Sequence, residues 1–263
     1  MALPSFEDLS PSSNSQVGYS CTNEEAMLHR WLLRRAAGQR QFKTVGAVAW
    51  GGDVLWGVLL PRSQRIVAVD HSYRSLAAAY LKALMLDSIG VEEMRTLLLE
   101  RSHADFCAAA EAAAAKLPEV LRSCTKFDAG SFGISSWNEL RAEWAGLTDL
   151  ALRRAKGRLG SVRLLHGDLS HLTTFGPFDC LYTSNALYEH SSLAAAGNRS
   201  PTLDTVAPLV QEGGWLLMTR GINQVDVSKS WEHVRSITGT RTSWSYRLYR
   251  RKADVVERSQ AAS

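Results

Sequence analysis

Residues 44–70 read Thr44-Val-Gly-Ala-Val-Ala-Trp50, Gly51-Gly52, Asp53-Val-Leu-Trp-Gly-Val-Leu-Leu60, Pro61-Arg62-Ser63, Gln64 and Arg65-Ile-Val-Ala-Val-Asp70. Two short apolar runs flank a glycine pair and a second apolar stretch. The pattern predicts strand, tight turn, helix, strand, with an acid closing the second strand. Runs without polar alternation are what strands buried on both faces require, so the sheet is expected to be parallel. The alternation returns downstream. Ser161 to His166 reads as a strand ending in Gly167-Asp168, and Phe178 to Asn185 as a strand with a polar tip. Thr202 to Val210 reads as a helix, Glu212-Gly-Gly214 as a turn and Trp215 to Thr219 as a strand. Trp231 to Ile237 is ambiguous, and Thr242 to Arg250 alternates as a last, antiparallel strand should. Strand–helix alternation of this kind predicts an α/β fold with a doubly wound, mostly parallel sheet.

Between the second and third strands the pattern is helical. Ser72 caps a helix running to Ile89, with Gly90 beyond its end. From about 91 to 159 no strand is expected. Val91 to Ser102, Asp105 to Leu117 and Ser136 to Lys156 read as helices, and Pro118 stops the Ala-rich second one. This stretch is taken as a helical cap inserted into one domain spanning 1–263. Residues 1–42 are taken as an N-terminal arm. Its first 20 or so residues show no period and read as mobile or as ordering over a ligand. Asn23 to Arg35 reads as a helix capped by Thr22 or Asn23, with Glu24 and Glu25 in its first turn and Arg34 and Arg35 in its last.

Composition narrows the partners. Apolar residues are 45% and charged residues 21% of 263, ordinary globular usage. Thirty Lys and Arg against 26 Asp and Glu leave a net charge of +4, too small and too scattered to predict a nucleic-acid surface. Cys21, Cys107, Cys124 and Cys180 have neither CxxC nor zinc-like spacing and read as reduced thiols of a cytoplasmic protein. MALPSFEDLS lacks an apolar h-region, so no signal peptide is expected. The apolar stretch from Val45 to Leu60, broken by Gly51, Gly52 and Asp53, is too interrupted to span a bilayer. The seven histidines show no HxxxH or HExxH spacing, so no metal is expected. The expected partner is a small-molecule substrate, not nucleic acid or membrane, with the oligomeric state left open.

In an open parallel sheet, ligands bind beyond the carboxyl ends of the strands. The residues at those ends are therefore the site candidates: Trp50, Gly51, Gly52 and Asp53; Asp70 and His71; Gly167, Asp168 and Leu169; Ser184 and Asn185; and Arg220. Gly51-Gly52 would let backbone approach a ligand at a helix start. Asp70 lies 19 residues after Gly51, close to the spacing at which an acid meets ribose hydroxyls. GxGxxG, GxxxxGK[ST] and GxSxG are all absent, against a dinucleotide fingerprint, a P-loop and a hydrolase elbow. Asp168 is a candidate for an adenine amino group, and Ser184-Asn185 faces the reacting group. Tyr19, on a polar arm with Ser20, could meet a cation through its ring. Tyr188 and Glu189, with His190, follow at the mouth.

The carrying segments are Tyr19-Ser-Cys-Thr-Asn-Glu-Glu25, Ala49-Trp-Gly-Gly-Asp53, Val67-Ala-Val-Asp70, Leu164-Leu-His-Gly-Asp168, Tyr182-Thr-Ser-Asn-Ala-Leu187 and Glu212-Gly-Gly-Trp-Leu-Leu-Met-Thr-Arg220. Together they resemble the class I S-adenosylmethionine-dependent methyltransferase fold, a Rossmann-like sheet. More specifically they resemble the 3-amino-3-carboxypropyl transferases, among them the diacylglycerol enzyme of betaine-lipid synthesis and isonocardicin synthase. The resemblance implies S-adenosyl-L-methionine as group donor, without a metal. It implies attack at Cγ of the methionine part and release of methylthioadenosine. Cyclisation to 1-aminocyclopropane-1-carboxylate and ordinary methyl transfer are the alternatives. Cofactor contacts are then expected from Tyr19, Ser20, Trp50 to Asp53, Asp70, His71, Gly167 to Leu169, Ser184 and Asn185. Catalytic roles are expected from Tyr19, Asn185, Tyr188 and Glu189, with Glu189, Tyr188 or Tyr19 serving as a base if the nucleophile is a weak acid.

Overall fold

The structure is a computed structural model that describes residues 2–9, 25–38, 40–123, 134–184, 203–221, 228–240 and 244–253. In chain order the strands and α-helices are β1 (Ser5–Asp8), α1 (Ala26–Ala37), β2 (Phe42–Val48), β3 (Ser63–Asp70), α2 (Tyr73–Ser88), α3 (Gly90–Leu99), α4 (His103–Ala114), α5 (Glu119–Ser123), α6 (Ile134–Ala145), α7 (Asp149–Lys156), β4 (Val162–His166), β5 (Phe178–Ser184), β6 (Val210–Gly221), β7 (Trp231–Thr238) and β8 (Trp244–Arg251). The eight strands form one sheet in the order β1-β4-β3-β2-β5-β6-β8-β7. β1 to β6 pair in parallel, whereas β8 is antiparallel to both β6 and β7. The order reverses between β2 and β5, where two neighbours run off in opposite directions. That is the crevice where such sheets take their ligands.

Period-2 alternation splits the apolar strands between two cores. Ile66, Ala68, Leu164, Cys180, Tyr182 and Leu217 face one. Val67, Val69, Leu165, Leu181, Leu216 and Met218 face the other. The first face carries α1, α2 and residues of the 91–159 insertion. The second is covered, among the described residues, by the short 3-10 segments Leu169–Thr174 and Leu203–Leu209. The insertion contains helices α3 to α7 and packs on α2 and on the helical stretch that follows β2. Among the described residues, no helix is long and apolar enough to cross a membrane.

Several sequence expectations need correction. Ser5–Asp8 is an edge strand paired with β4, not an unstructured arm; Arg163 pairs with Glu7, which fixes the register. α1 begins at Ala26, and its first turn holds no acid. Glu25 instead sends its carboxylate to Thr240, while the Ala26 amide donates to Glu143 Oε2 at 2.6 Å. A long-range acid has replaced the local cap. The predicted helix over Ser136 to Lys156 is two helices, because Thr148 caps a fresh start at Asp149. Within the predicted helix from Thr202 to Val210, Leu203–Leu209 is a tight 3-10 segment around Pro208, which lacks the N–H an α-helix needs, and Val210 already belongs to β6. Glu212 to Gly214 is an irregularity inside β6 rather than a terminating turn: the pairing jumps from Phe178↔Val210 to Cys180↔Trp215. The ambiguous stretch is strand β7.

Candidate functional site at the sheet switch point

The register Ala47↔Tyr182 brings the ends of β2 and β5 to the same rim of the sheet. The backbone changes hand on both sides of the crevice. Trp50 has φ 41° and Ser184 has φ 52°, the two non-glycine residues with positive φ among those described. Gly51 and Gly52 follow Trp50 at φ 74° and 92°. Three successive left-handed residues turn the chain sharply out of β2. A side chain in that region is strained and persists where its surroundings hold it. Gly52 has a second reason to be glycine: a Cβ there would lie 2.6 Å from Trp56 Nε1 and 2.9 Å from the Ala79 backbone.

The holding contacts are specific. The Gly52 amide donates to Ala49 O at 2.8 Å, and the Trp50 amide donates to Asp70 Oδ2 at 3.1 Å. Lys82 Nζ donates to Gly51 O at 2.9 Å and to Asp53 Oδ1 at 2.7 Å. Trp144 Nε1 donates to the same Asp53 oxygen at 2.9 Å, tying the insertion to the turn. Beyond the turn the chain winds wide, with π-type turns over Leu55–Leu59, and then tightens to a 3-10 turn at Leu60–Arg62. Wide turns of this kind are uncommon and concentrate near functional sites.

Asp70 sits at the end of β3, 4% exposed. Its Oδ2 accepts from Trp50 N and its Oδ1 from Ser72 N at 3.0 Å. A carboxylate offers about four acceptor positions, so two remain for a ligand, which matches the two hydroxyls of a ribose. Burial raises the Asp70 pKa above the usual carboxylate range, opposed by the Ser72 amide, His71, the Trp50 amide and His166. His71 lies beside it, Nδ1 3.9 Å from Oδ1, with its side chain 45% exposed.

β4 delivers Gly167 to the same place: its amide donates to Asp70 O at 2.9 Å. Asp168 follows as the cap of the Leu169–Thr174 segment. Its Oδ1 accepts from the Ser170 amide and hydroxyl and lies 3.4 Å from His171 Nδ1. The Asp168 side chain also caps the His171 amide and is 63% exposed. Burial pushes the Asp168 pKa up, but the Ser170 hydroxyl and amide together with His171 hold it lowered. Leu169 packs against the second core.

The rim therefore gathers Trp50, Gly51, Gly52, Asp70, His71, Gly167, Asp168 and Ser184. Asp53 is placed differently from expectation. It is 0% exposed and its carboxylate is taken up by Lys82 and Trp144, which makes it a holder of the turn. Tyr19, Ser20, Asn185, Tyr188, Glu189 and His190 lie outside the described residues, as does the Arg220 side chain. Sequence reading missed Lys82 and Trp144. Lys82 left a signal: it is a single charge inside the apolar run Leu76 to Leu86, and a buried lysine demands a partner. It also missed the support behind Asp70. Tyr73 stacks on His166 at 3.7 Å, Tyr73 Oη donates to Asp8 Oδ2 at 2.6 Å, and His166 Nδ1 lies 2.9 Å from Asp8 Oδ1. No group of three His, Cys, Asp or Glu suited to a metal occurs among the described residues.

No protein-family model matches this chain, and no curated protein matches it. Solved structures with a similar backbone include the rRNA methyltransferase aviRa from Streptomyces viridochromogenes, at 15% identity over 90% of this chain and 88% of that one, TM-score 0.48. The N-methyltransferase NodS from Bradyrhizobium japonicum WM9, in complex with S-adenosyl-L-homocysteine, aligns at 11% identity over 86% of each chain, TM-score 0.43. Precorrin 8w decarboxylase from Methanobacterium thermoautotrophicum aligns at 14% identity over 89% of this chain and 95% of that one, TM-score 0.40. Likeness at this level concerns backbone alone; the functional reading rests on the chain's own residues.

Proposed function

We propose that this chain is an S-adenosylmethionine-dependent transferase working at the β2/β5 crevice. The observation that carries the nucleoside part is Asp70: a buried carboxylate at the switch point, oriented by two backbone amides and keeping two acceptor positions. In this reading those positions take the ribose hydroxyls. The Trp50–Gly52 backbone lies against the nucleoside, and the exposed Asp168 carboxylate accepts from the adenine amino group.

We further propose that the reaction is attack at Cγ, with transfer of the 3-amino-3-carboxypropyl group to a small-molecule acceptor. This finer reading is supported by the resemblance carried by Tyr19 to Glu25 and Tyr182 to Leu187. The bound sulfonium supplies the electrophile: a bond from the acceptor to Cγ forms, the Cγ–S bond breaks, sulfur keeps the electron pair, and methylthioadenosine leaves. The chain's part is positioning, since an in-line displacement depends on which carbon faces the nucleophile. Tyr19 and Asn185 would orient the amino-acid arm. Glu189, Tyr188 or Tyr19 would take the acceptor's proton.

Mass spectrometry of the nucleoside formed from S-adenosylmethionine tests this. Methylthioadenosine above the non-enzymatic background, dependent on an added acceptor, is the expected result. S-adenosylhomocysteine alone would replace the reading by methyl transfer. Methylthioadenosine formed at full rate without acceptor, with an equal amount of 1-aminocyclopropane-1-carboxylate, would replace it by cyclisation.

A further inference from the structure

The opposite rim of the sheet carries a second concavity. Gly38, Arg40 and Gln41 lead into β2, Pro61 and Arg62 lead into β3, and Arg158 precedes β4. With Arg30 and Arg34 of α1 and Arg154 of α7, these residues line a cavity of about 620 Å³. That is the size of an ordinary small-molecule site. Seven-residue β2 separates it from the Asp70 rim, a span of about 20 Å at ~3.3 Å per residue. It is therefore distinct from the crevice above, and nothing about it depends on the function proposed there.

Six arginines line this cavity, and among the described residues no acid lines it. Among the described residues, no carboxylate lies within 4.0 Å of Arg30, Arg34, Arg40, Arg62, Arg154 or Arg158. The partners they do have are neutral. Arg62 donates to the Gly38 carbonyl, and Arg158 Nη1 donates to Ser63 O at 2.7 Å. With its amide suitably turned, Gln41 accepts from Arg158 at 2.6 and 2.8 Å. Arg30 Nη1 is buried without a hydrogen-bond partner. Burial lowers the Arg62 pKa from its ordinary value and Arg30 and Arg34 add to that, against Cys180. The acid in the first turn of α7, Asp149, is engaged by Arg95 at 3.1 Å.

Like charges gathered in one concavity repel, and a buried donor without a partner is costly. Both costs are relieved by an anion. Guanidinium forks match phosphate oxygens two at a time, and several converging forks match several phosphoryl groups. We infer that this arginine-lined cavity is a binding site for a small organic or inorganic oligophosphate, carrying two or more phosphoryl groups. A nucleic-acid backbone fits less well, because the charges converge into a single pocket and do not track along an extended surface.

The probe is inorganic tripolyphosphate, titrated calorimetrically into the full chain, with orthophosphate and a single-stranded oligonucleotide as comparisons. Saturable tripolyphosphate binding is expected, at least about tenfold tighter than orthophosphate and weakening steeply with salt. Arg34 and Arg154 have exposed side chains. The double variant Arg34→Ala/Arg154→Ala should keep the unliganded melting temperature and weaken tripolyphosphate at least about tenfold. Arg34→Lys/Arg154→Lys, which keeps the charge and loses the forks, should fall between, and it serves if the alanine variant does not fold. No saturable binding at millimolar tripolyphosphate overturns the inference. So does unchanged affinity in both folded double variants. Tighter binding of the oligonucleotide than of tripolyphosphate at equal phosphate concentration replaces it by a nucleic-acid surface.

Discussion

The turn after β2 and the end of β3 each bury an aspartate, and the two are used in opposite ways. Asp53 is closed off: Lys82 neutralises it, and Trp144 Nε1 donates to the Oδ1 that Lys82 contacts. Among the described residues, Asp70 meets no lysine or arginine. Two amides orient it, and an exposed histidine stands 3.9 Å away. A buried acid with a full cationic partner holds structure together. A buried acid held by backbone amides, with no full cationic partner in contact, keeps part of its accepting capacity. The difference teaches that burial alone does not mark a functional carboxylate; the identity of its partners does.

The largest effect expected from this contrast is on stability at Asp53. Asp53→Ala leaves Lys82 buried with its charge unmatched, which costs about 3–5 kcal/mol. Urea denaturation would read it. Asp70→Ala should cost clearly less in the same experiment, and equal losses would break the comparison.

The next effect is on binding. Asp70→Ala should weaken S-adenosylmethionine or methylthioadenosine by roughly 2–4 kcal/mol through loss of charge-assisted hydrogen bonds. Calorimetry showing unchanged affinity would remove Asp70 from the site and leave it a strand-end brace.

A third effect is the pH dependence of Asp70. The Asp70 pKa is raised in the folded chain. Its contribution to stability is therefore fully present below the unfolded carboxylate value of about 3.9 and is lost as pH rises through the folded value. Ligand hydroxyls favour the ionised carboxylate, so binding runs the other way. Affinity should climb by up to about tenfold per pH unit below the folded value, ~1.4 kcal/mol, and level off above it. Asp70→Asn should flatten that limb. A limb that survives in the variant belongs to another group.

The smallest effect is at His71. Its attraction holds the Asp70 pKa down. His71→Ala should move the acid limb of binding to higher pH and change affinity at neutral pH by less than about 1 kcal/mol, the range of an exposed pair. A loss as large as that of Asp70→Ala would make His71 a direct ligand contact.

Much of the rim was legible because strands announce their own ends. Asp70, Gly167-Asp168 and Ser184 each close an apolar run, and a parallel sheet carries such ends to one side. The edge strand Ser5–Asp8 was not legible. Four residues of mixed polarity have no period of their own, and their pairing depends on Arg163 and His166, about 160 residues away. The start of α1 was missed for the same reason, since its capping acid is Glu143 of α6 rather than a neighbour in sequence.

By itself, then, the sequence determined the strand–helix alternation, the parallel core of the sheet and the acids and glycines at its rim. These follow from local periodicity, which any chain of this pattern must satisfy. The tertiary structure decided which aspartate is paired and which is left to accept, because Lys82 and Trp144 reach Asp53 only once α2 and α6 have packed. It also decided where charge collects. Arginines scattered from 30 to 158 look diffuse in a chain of net charge +4, yet the starts of three parallel strands, with α1 and α7 beside them, bring six of them into one cavity. Charge adds up by proximity in space, and only the fold sets that.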